Sequence, residues 1–180
     1  MKQLSAPGYQ SQDWTRELPD NCPMPADVTE LLEFWSDRSC GLACASSAIE
    51  FLTGSRVSQI ALFNACVREG GYAQQGWKHD ELAKTVARYG VQAHARAFGL
   101  QSLTQLLERG NLIIASVTHK LPEDGRRGGH LILLHGVSEK EGIVLIDFMD
   151  PSAWGRDNKS VTFERFNASF TGRGIIISGG

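Results

Sequence analysis

The sequence predicts an α+β fold, with a helical N-terminal part packed on a C-terminal antiparallel β-sheet. Two observations carry this prediction. Helical periodicity broken by glycine stops dominates from residue 40 to about residue 109, and short apolar strands separated by turn residues dominate from Leu112 onward. Helices first and a meander of strands second is the signature of segregated elements. The 180 residues suit one domain with its own core. Residues 1–28 are polar and carry Pro7, Pro19, Pro23 and Pro25, so an extended lead-in anchored by Trp14 is expected there, with the domain proper over 29–180.

Leu31 to Trp35 is a short apolar stretch leading into Asp37-Arg38-Ser39. A helix is expected from Cys40 to Thr53, because Leu42, Ala45, Ile49 and Leu52 share one face, Ser39 or Asp37 can cap its start and Gly54 suits its end. A second helix is expected over 57–69 and stops at Gly70-Gly71. The stretch 72–78 reads as a loop, and a third helix follows over 80–89. Val91 to Arg96 reads as a strand and Ser102 to Arg109 as a short helix. Strands are then expected at 112–117, 130–137, 143–147, 160–163 and 174–178, with Glu139-Lys140-Glu141-Gly142 as a hairpin turn.

Composition excludes several classes. Net charge is −2, with no long run of either sign, which argues against a nucleic-acid or membrane-surface role. No apolar stretch approaches the roughly 18 residues of a membrane span, and residues 1–7 lack the apolar region of a signal peptide. A cytoplasmic location is therefore the expectation. The four cysteines, Cys22, Cys40, Cys44 and Cys66, do not give the paired short spacings of a zinc site. No metal and no cofactor are implied.

The chemistry rests on Cys40 and His130. Cys40 opens the first long helix, where backbone N–H groups and the helix dipole favour a thiolate. Gly41 leaves the backbone beside the sulfur open to substrate, and the Cys40 amide can donate to a developing oxyanion. Packing is the ordinary use of a free cysteine, and it is the reading for Cys44 and Cys66. His130 follows Gly128-Gly129 and starts an almost wholly apolar strand, so a polar residue there needs a reason. His119 is the rival base, His135 belongs to the opposite face of the same strand, and His79 and His94 read as surface or capping residues.

A catalytic imidazole needs an acceptor to hold its far nitrogen. Asp147 ends the strand expected to pair with the His130 strand and is favoured for that role. Asp150, in Asp150-Pro151, is the alternative, although Asp-Pro is also a common turn. Gly76 and Trp77 in the 70–77 loop, together with Gly129, are candidate walls of a substrate cleft.

Trp35, Cys40-Gly41, Gly76-Trp77, Leu82, Tyr89-Gly90, Gly129-His130-Leu131-Ile132 and a strand ending in Asp147 together resemble the bacteriocin-processing (double-glycine) cysteine peptidases of the papain-like superfamily. The resemblance covers residues 30–178. It implies a papain-like fold, Cys40 as nucleophile, His130 as base, Asp147 as orienting acid, and hydrolysis of a peptide or protein amide through a thioester. The transporter-linked members carry a glutamine about six residues before the cysteine that donates to the oxyanion. Here Phe34 holds that position, which leaves the role to Ser36 or the Trp35 indole. Two further readings share these residues. The thioester could pass to an amine, as in an acyltransferase or transglutaminase-like enzyme, because water and amines attack the same intermediate. Without the glutamine, the chain could instead be a non-catalytic peptide-binding domain.

Overall fold

The computed structural model describes residues 6–14 and 26–180. Cys22, Pro19, Pro23 and Pro25 lie outside the described residues. The helical part comprises α1 (Ala26–Ser36), α2 (Cys40–Thr53), α3 (Gln59–Arg68) and α4 (His79–Ala87), with a two-stranded hairpin of β1 (Tyr72–Ala73) and β2 (Gly76–Trp77) between α3 and α4. There follow β3 (Val91–Ala97), α5 (Leu100–Glu108), β4 (Leu112–Val117), β5 (His130–Lys140), β6 (Ile143–Met149), β7 (Ser160–Thr162), α6 (Phe163–Ser169) and β8 (Arg173–Gly179). Six strands form one antiparallel sheet in the order β3-β8-β4-β5-β6-β7.

Both faces of that sheet are covered. On one face Ile114, Leu131, Leu133 and Ile175 meet Leu42, Ala45 and Ile49 of α2 and Leu82 and Val86 of α4. On the other, Ile113, Ile132, Leu134 and Phe148 meet Leu103 and Leu107 of α5 and Phe166 of α6. Double coverage explains why β4 and the first half of β5 are continuous apolar runs rather than alternating ones. It also fixes register, because a one-residue slip would exchange the two cores.

Two helices were not legible as such. In α1, Leu32 and Trp35 pack inward while Leu31 and Phe34 face solvent. Apolar residues on both sides blur the stripe that marks a helix. In the expected 160–163 strand the chain turns helical at Phe163, where the Thr162 side chain accepts from the Arg165 N–H at 3.3 Å as an N-cap. The 72–78 loop contains the small β1–β2 hairpin.

Residues 6–14 form a strap across the body. Ser47 Oγ of α2 donates to the Gly8 carbonyl at 2.7 Å, and Gln10 Nε2 donates to Glu50 at 2.9 Å. Tyr9 Oη reaches the carbonyls of Pro151 and Ser152, and the Gln12 N–H donates to Pro151 O at 3.1 Å. Trp14 is buried with its ring edge on Phe63, and its indole N–H donates to Gln59 Oε1 at 3.1 Å. The strap therefore ties α2 and α3 to the segment after β6.

Trp14→Ala removes a buried aromatic and leaves Gln59 Oε1 without its donor. It is expected to lower unfolding free energy by about 3–5 kcal/mol, measured by urea denaturation. A loss below about 1 kcal/mol would show that the strap contributes little to the fold.

Candidate active site

Cys40 is the first residue of α2. Ser39 holds the N-cap position, but its hydroxyl donates back to the Trp35 carbonyl and no side chain caps the helix. The expected Ser39 or Asp37 cap is thus absent, and the first-turn N–H groups beside the sulfur are left for another acceptor. Gly41 does not line the cleft. A Cβ there would stand 2.8 Å from Leu131, 3.1 Å from Leu82 and 3.2 Å from Trp77, so the glycine is needed to seat the helix start against β5 and α4.

His130 begins β5, opposite Val117 of β4. Gly128 and Gly129 before it have φ of 87° and 88°, a left-handed pair that side chains rarely adopt. Arg127 does not swing freely, because its guanidinium donates to the Phe170 carbonyl. The His130 ring is buried, and its Nε2 lies 2.8 Å from Asp150 Oδ1. Cys40 lies close enough to raise the imidazole. With Nε2 engaged by the carboxylate, Nδ1 is the nitrogen left for the sulfur.

Asp147 stands elsewhere. It pairs with Gly136, and its Oδ1 accepts from Ser138 Oγ at 3.0 Å. Gly136 is six residues along β5 from His130, roughly 20 Å at strand rise. The reason is the register of the β5–β6 hairpin. Lys140 pairs with Ile143 across a two-residue turn and Leu133 with Met149, so the chain opposite His130 is the stretch beyond β6. Asp150 occupies that stretch and is fully buried. It is at once a turn residue and the imidazole's partner, since its Oδ1 also accepts from the Ser152 N–H at 2.8 Å.

The electrostatics follow from this geometry. Burial alone would lower the His130 imidazole, but its bond to Asp150, the nearby Cys40 and their charges override it and raise it to about 10. Burial would likewise raise the Asp150 carboxyl, yet the contacts with His130 and Ser152 hold it below its usual range. His119 is exposed and sets its ring edge-on against His130, with centroids 5.1 Å apart. Burial and the neighbouring His130 charge keep it neutral more readily than a free histidine. His135 is remote, near Pro7, Phe51 and Leu107.

Cys44 lies one turn below Cys40, fully buried, with Sγ 3.5 Å from the Leu131 carbonyl. Burial, then the nearby Cys40 and Asp150, push its thiol well above the ordinary range, and burial raises Cys66. Neither is a nucleophile.

Cys40 and His130 open onto a cleft of about 390 Å³, walled by Tyr72, Gln74, Gln75, Gly76, Trp77, His79, Ser116 and Gly129. Trp77 anchors this wall by donating its indole N–H to Arg38 O at 2.6 Å, two residues before the thiol. On the far side of Asp37 lies a larger cavity of about 810 Å³, lined among others by Tyr9, Gln12, Ser36, His119, Ser152 and Trp154. Ser36 Oγ accepts from the Trp14 N–H at 2.9 Å, and Trp35 packs against Phe63, Tyr72 and Trp77. Neither lines the Cys40 cleft.

Gln12, a glutamine beside the Asp150 segment in space, lies outside any fixed six-residue offset from Cys40, because residues 15–25 and α1 intervene. The fold returns the strap to the acid loop, and Gln12 Oε1 is buried without a hydrogen-bond partner among the described residues.

This architecture is that of a cysteine peptidase domain. It superposes on the peptidase domain of Streptococcus ComA, a bi-functional ABC transporter involved in a quorum-sensing pathway, with a TM-score of 0.57 at 18% identity, covering 79% of this chain and 93% of that one. It also superposes on a double-glycine-motif protease from an AMS/PCAT transporter in complex with the leader peptide, with a TM-score of 0.53 at 21% identity, covering 78% and 84%. No curated protein sequence matches the chain. Residues 12–174 match the Peptidase_C39 like family, and the chain belongs to that family.

Two outcomes are expected. Iodoacetamide at pH 8 should leave Cys44 and Cys66 unmodified in the native protein and label both after unfolding, read by peptide mass spectrometry. Gly155→Ala should disturb the acid loop, since a Cβ there would stand 2.1 Å from Asp150 O. A cost of about 1–3 kcal/mol and shifted His130 ring resonances by NMR are expected. An unchanged His130 signal would show that the loop absorbs the methyl group.

Proposed function

We propose that the chain is a cysteine peptidase that cleaves a peptide or protein amide bond at Cys40. The observation that carries this reading is the buried Cys40–His130–Asp150 chain of contacts, with its 2.8 Å imidazole–carboxylate bond. Cys40 attacks the scissile carbonyl. His130 passes a proton to the departing amine, leaving a thioester on Cys40. Water then attacks the thioester while His130 takes its proton, releasing the acid and restoring the thiol. Asp150 holds the ring tautomer throughout, the role expected earlier of Asp147.

The oxyanion is met by the uncapped first turn of α2 and, on this reading, by the Gln12 carboxamide. Two observations support Gln12, whose carboxamide N–H groups are the donors an oxyanion needs. Its backbone N–H donates to Pro151 O, next to Asp150, and the family match begins at this residue. On this reading Gln12 takes the place of the glutamine whose absence motivated the binding-domain alternative. The double-glycine protease bound to its leader peptide makes peptides with a Gly-Gly cleavage site the first substrates to screen.

The test is a peptide-library cleavage assay with product sequencing, in water and with added amines. Cys40→Ala and His130→Ala should each lower kcat by on the order of 10³-fold or more, and Asp150→Asn by about 10²-fold or more. Gln12→Ala should cost about 10²–10³-fold in kcat. Asp147→Asn should leave kcat unchanged. Turnover surviving in Cys40→Ala would refute the reading, and amide products in preference to acids would make the enzyme an acyltransferase.

A further inference from the structure

One residue beside the site is placed with more care than the peptidase reading uses. His119 ends the segment after β4, and the next two residues, Lys120 and Leu121, have φ of 63° and 46°. Left-handed backbone at two successive residues, neither of them glycine, is costly, and it persists only where the surroundings over-determine it. They do so here. Leu121 is fully buried in the core formed with α5 and α6, and its N–H donates to Thr118 O at 2.9 Å. The Arg165 guanidinium clamps both strained residues, donating to Leu121 O at 2.9 Å and to Lys120 O at 2.8 Å. Thr118 is held in turn by Ser169. All of this bracing presents an exposed imidazole edge-on to the His130 ring.

The chemistry at that point is a metal-ligand set. His119, His130 and Asp150 each offer one donor atom, and all three atoms lie within 4.8 Å of one another. Zinc bonded at about 2.0–2.1 Å keeps neighbouring donors roughly 3.3 Å apart. His130 Nε2 and Asp150 Oδ1, at 2.8 Å, must part by roughly 0.5 Å to flank the ion, and His119 must move inward. His119 is the exposed member and can do so without disturbing the core. Asp150 is fully buried, and its Oδ2 has no hydrogen-bond partner among the described residues, which leaves a carboxylate oxygen with unused acceptor capacity in the cluster. His119 lines the large cavity and His130 the Cys40 cleft, so two of the three groups border solvent-accessible space.

We infer that His119, His130 and Asp150 form an inhibitory site for a divalent zinc-class ion, with two nitrogens and one carboxylate as protein ligands. This set is the one that imidazole and carboxylate ligation gives to zinc. Binding breaks the His130–Asp150 hydrogen bond. The proton on His130 Nε2 leaves to solvent, and the nitrogen's electron pair goes to the ion. The ring then keeps its one remaining proton on Nδ1 as a neutral ligand, so it can no longer accept a proton from Cys40 or from water. The ion also occupies the carboxylate that orients the ring. Inhibition on this scheme rests on the peptidase reading, but occupancy of the site does not.

The experiment separates the two. Zn²⁺ is titrated calorimetrically into Cys40→Ala protein, which has no thiol at the site, and Co²⁺ is titrated in parallel with absorbance as the readout. One ion per chain is expected, with visible bands of low-coordinate cobalt and no sulfur charge-transfer band. Adding His119→Phe to Cys40→Ala keeps a ring against His130 but removes the ligand, and should weaken Zn²⁺ by at least about 100-fold. Circular dichroism confirms that each variant is folded. In wild type, Zn²⁺ should inhibit reversibly and chelator should restore the rate, whereas His119→Phe, referred to its own metal-free rate, should need at least about 100-fold more Zn²⁺. Loss of binding on removing Cys40 alone would place the metal on the thiol and overturn the proposal. Unchanged affinity in the His119→Phe pair would also overturn it. Binding as expected in a protein that cleaves no peptide would leave the site standing and sink the peptidase reading instead.

Discussion

The pairing of β5 with β6 is the constraint from which the site follows. β5 starts at His130, runs through the middle of the sheet and turns back at Glu141-Gly142, and β6 then carries the chain toward the His130 end and delivers Asp150 just past its last residue. The hairpin has little freedom to slip, because both faces of the first half of β5 are packed against helices and Leu131 to Leu134 alternate between the two cores. The carboxylate is therefore placed by the core and not by its own loop. The same packing presses Leu131 onto the start of α2, so one strand positions His130, sets Asp150 beside it and seats the helix that bears Cys40.

The burial of the imidazole–carboxylate pair makes that placement matter energetically. A buried carboxylate without a partner would be strongly destabilising, and a buried imidazole without the carboxylate would lose the acceptor for its Nε2 proton. Together they satisfy one another, with the Ser152 N–H as a further donor to the carboxylate. Removing either member leaves the other as an uncompensated buried group, so stability and chemistry are coupled at this point. The inert Cys44 shows the opposite case. The same residue type one turn deeper, with a carbonyl for company, stays a thiol.

Much of this was legible in the sequence. Cys40 at a helix start and His130 after two glycines were both readable, because helix periodicity and an apolar strand are local signals. The antiparallel sheet was readable for the same reason. The carboxylate that meets His130 was misplaced because strand adjacency was read without counting register. Glu141-Gly142 forms the kind of two-residue turn, with positive φ at both positions, that fixes a hairpin's pairing. Counting back from it leads past Asp147 to the Asp150 segment. The path of the strap that brings Gln12 to Pro151 was not legible, since it depends on long-range contacts with Gln59, Ser47 and Pro151, which leave no periodic trace. The helix α1 was hidden by Leu31 and Phe34, which place apolar residues on its solvent side.

The strap also bears on when the site comes into being. Tyr9 and Gln12 bond to residues 151 and 152, some 140 positions later in the chain. Contacts of that sequence separation form late, because the loop they close is nearly the whole domain. During synthesis the helix bearing Cys40 emerges long before His130 and Asp150, so the thiol meets the buried imidazole–carboxylate pair only as the domain closes, and a chain cut short of residue 150 carries the thiol without it.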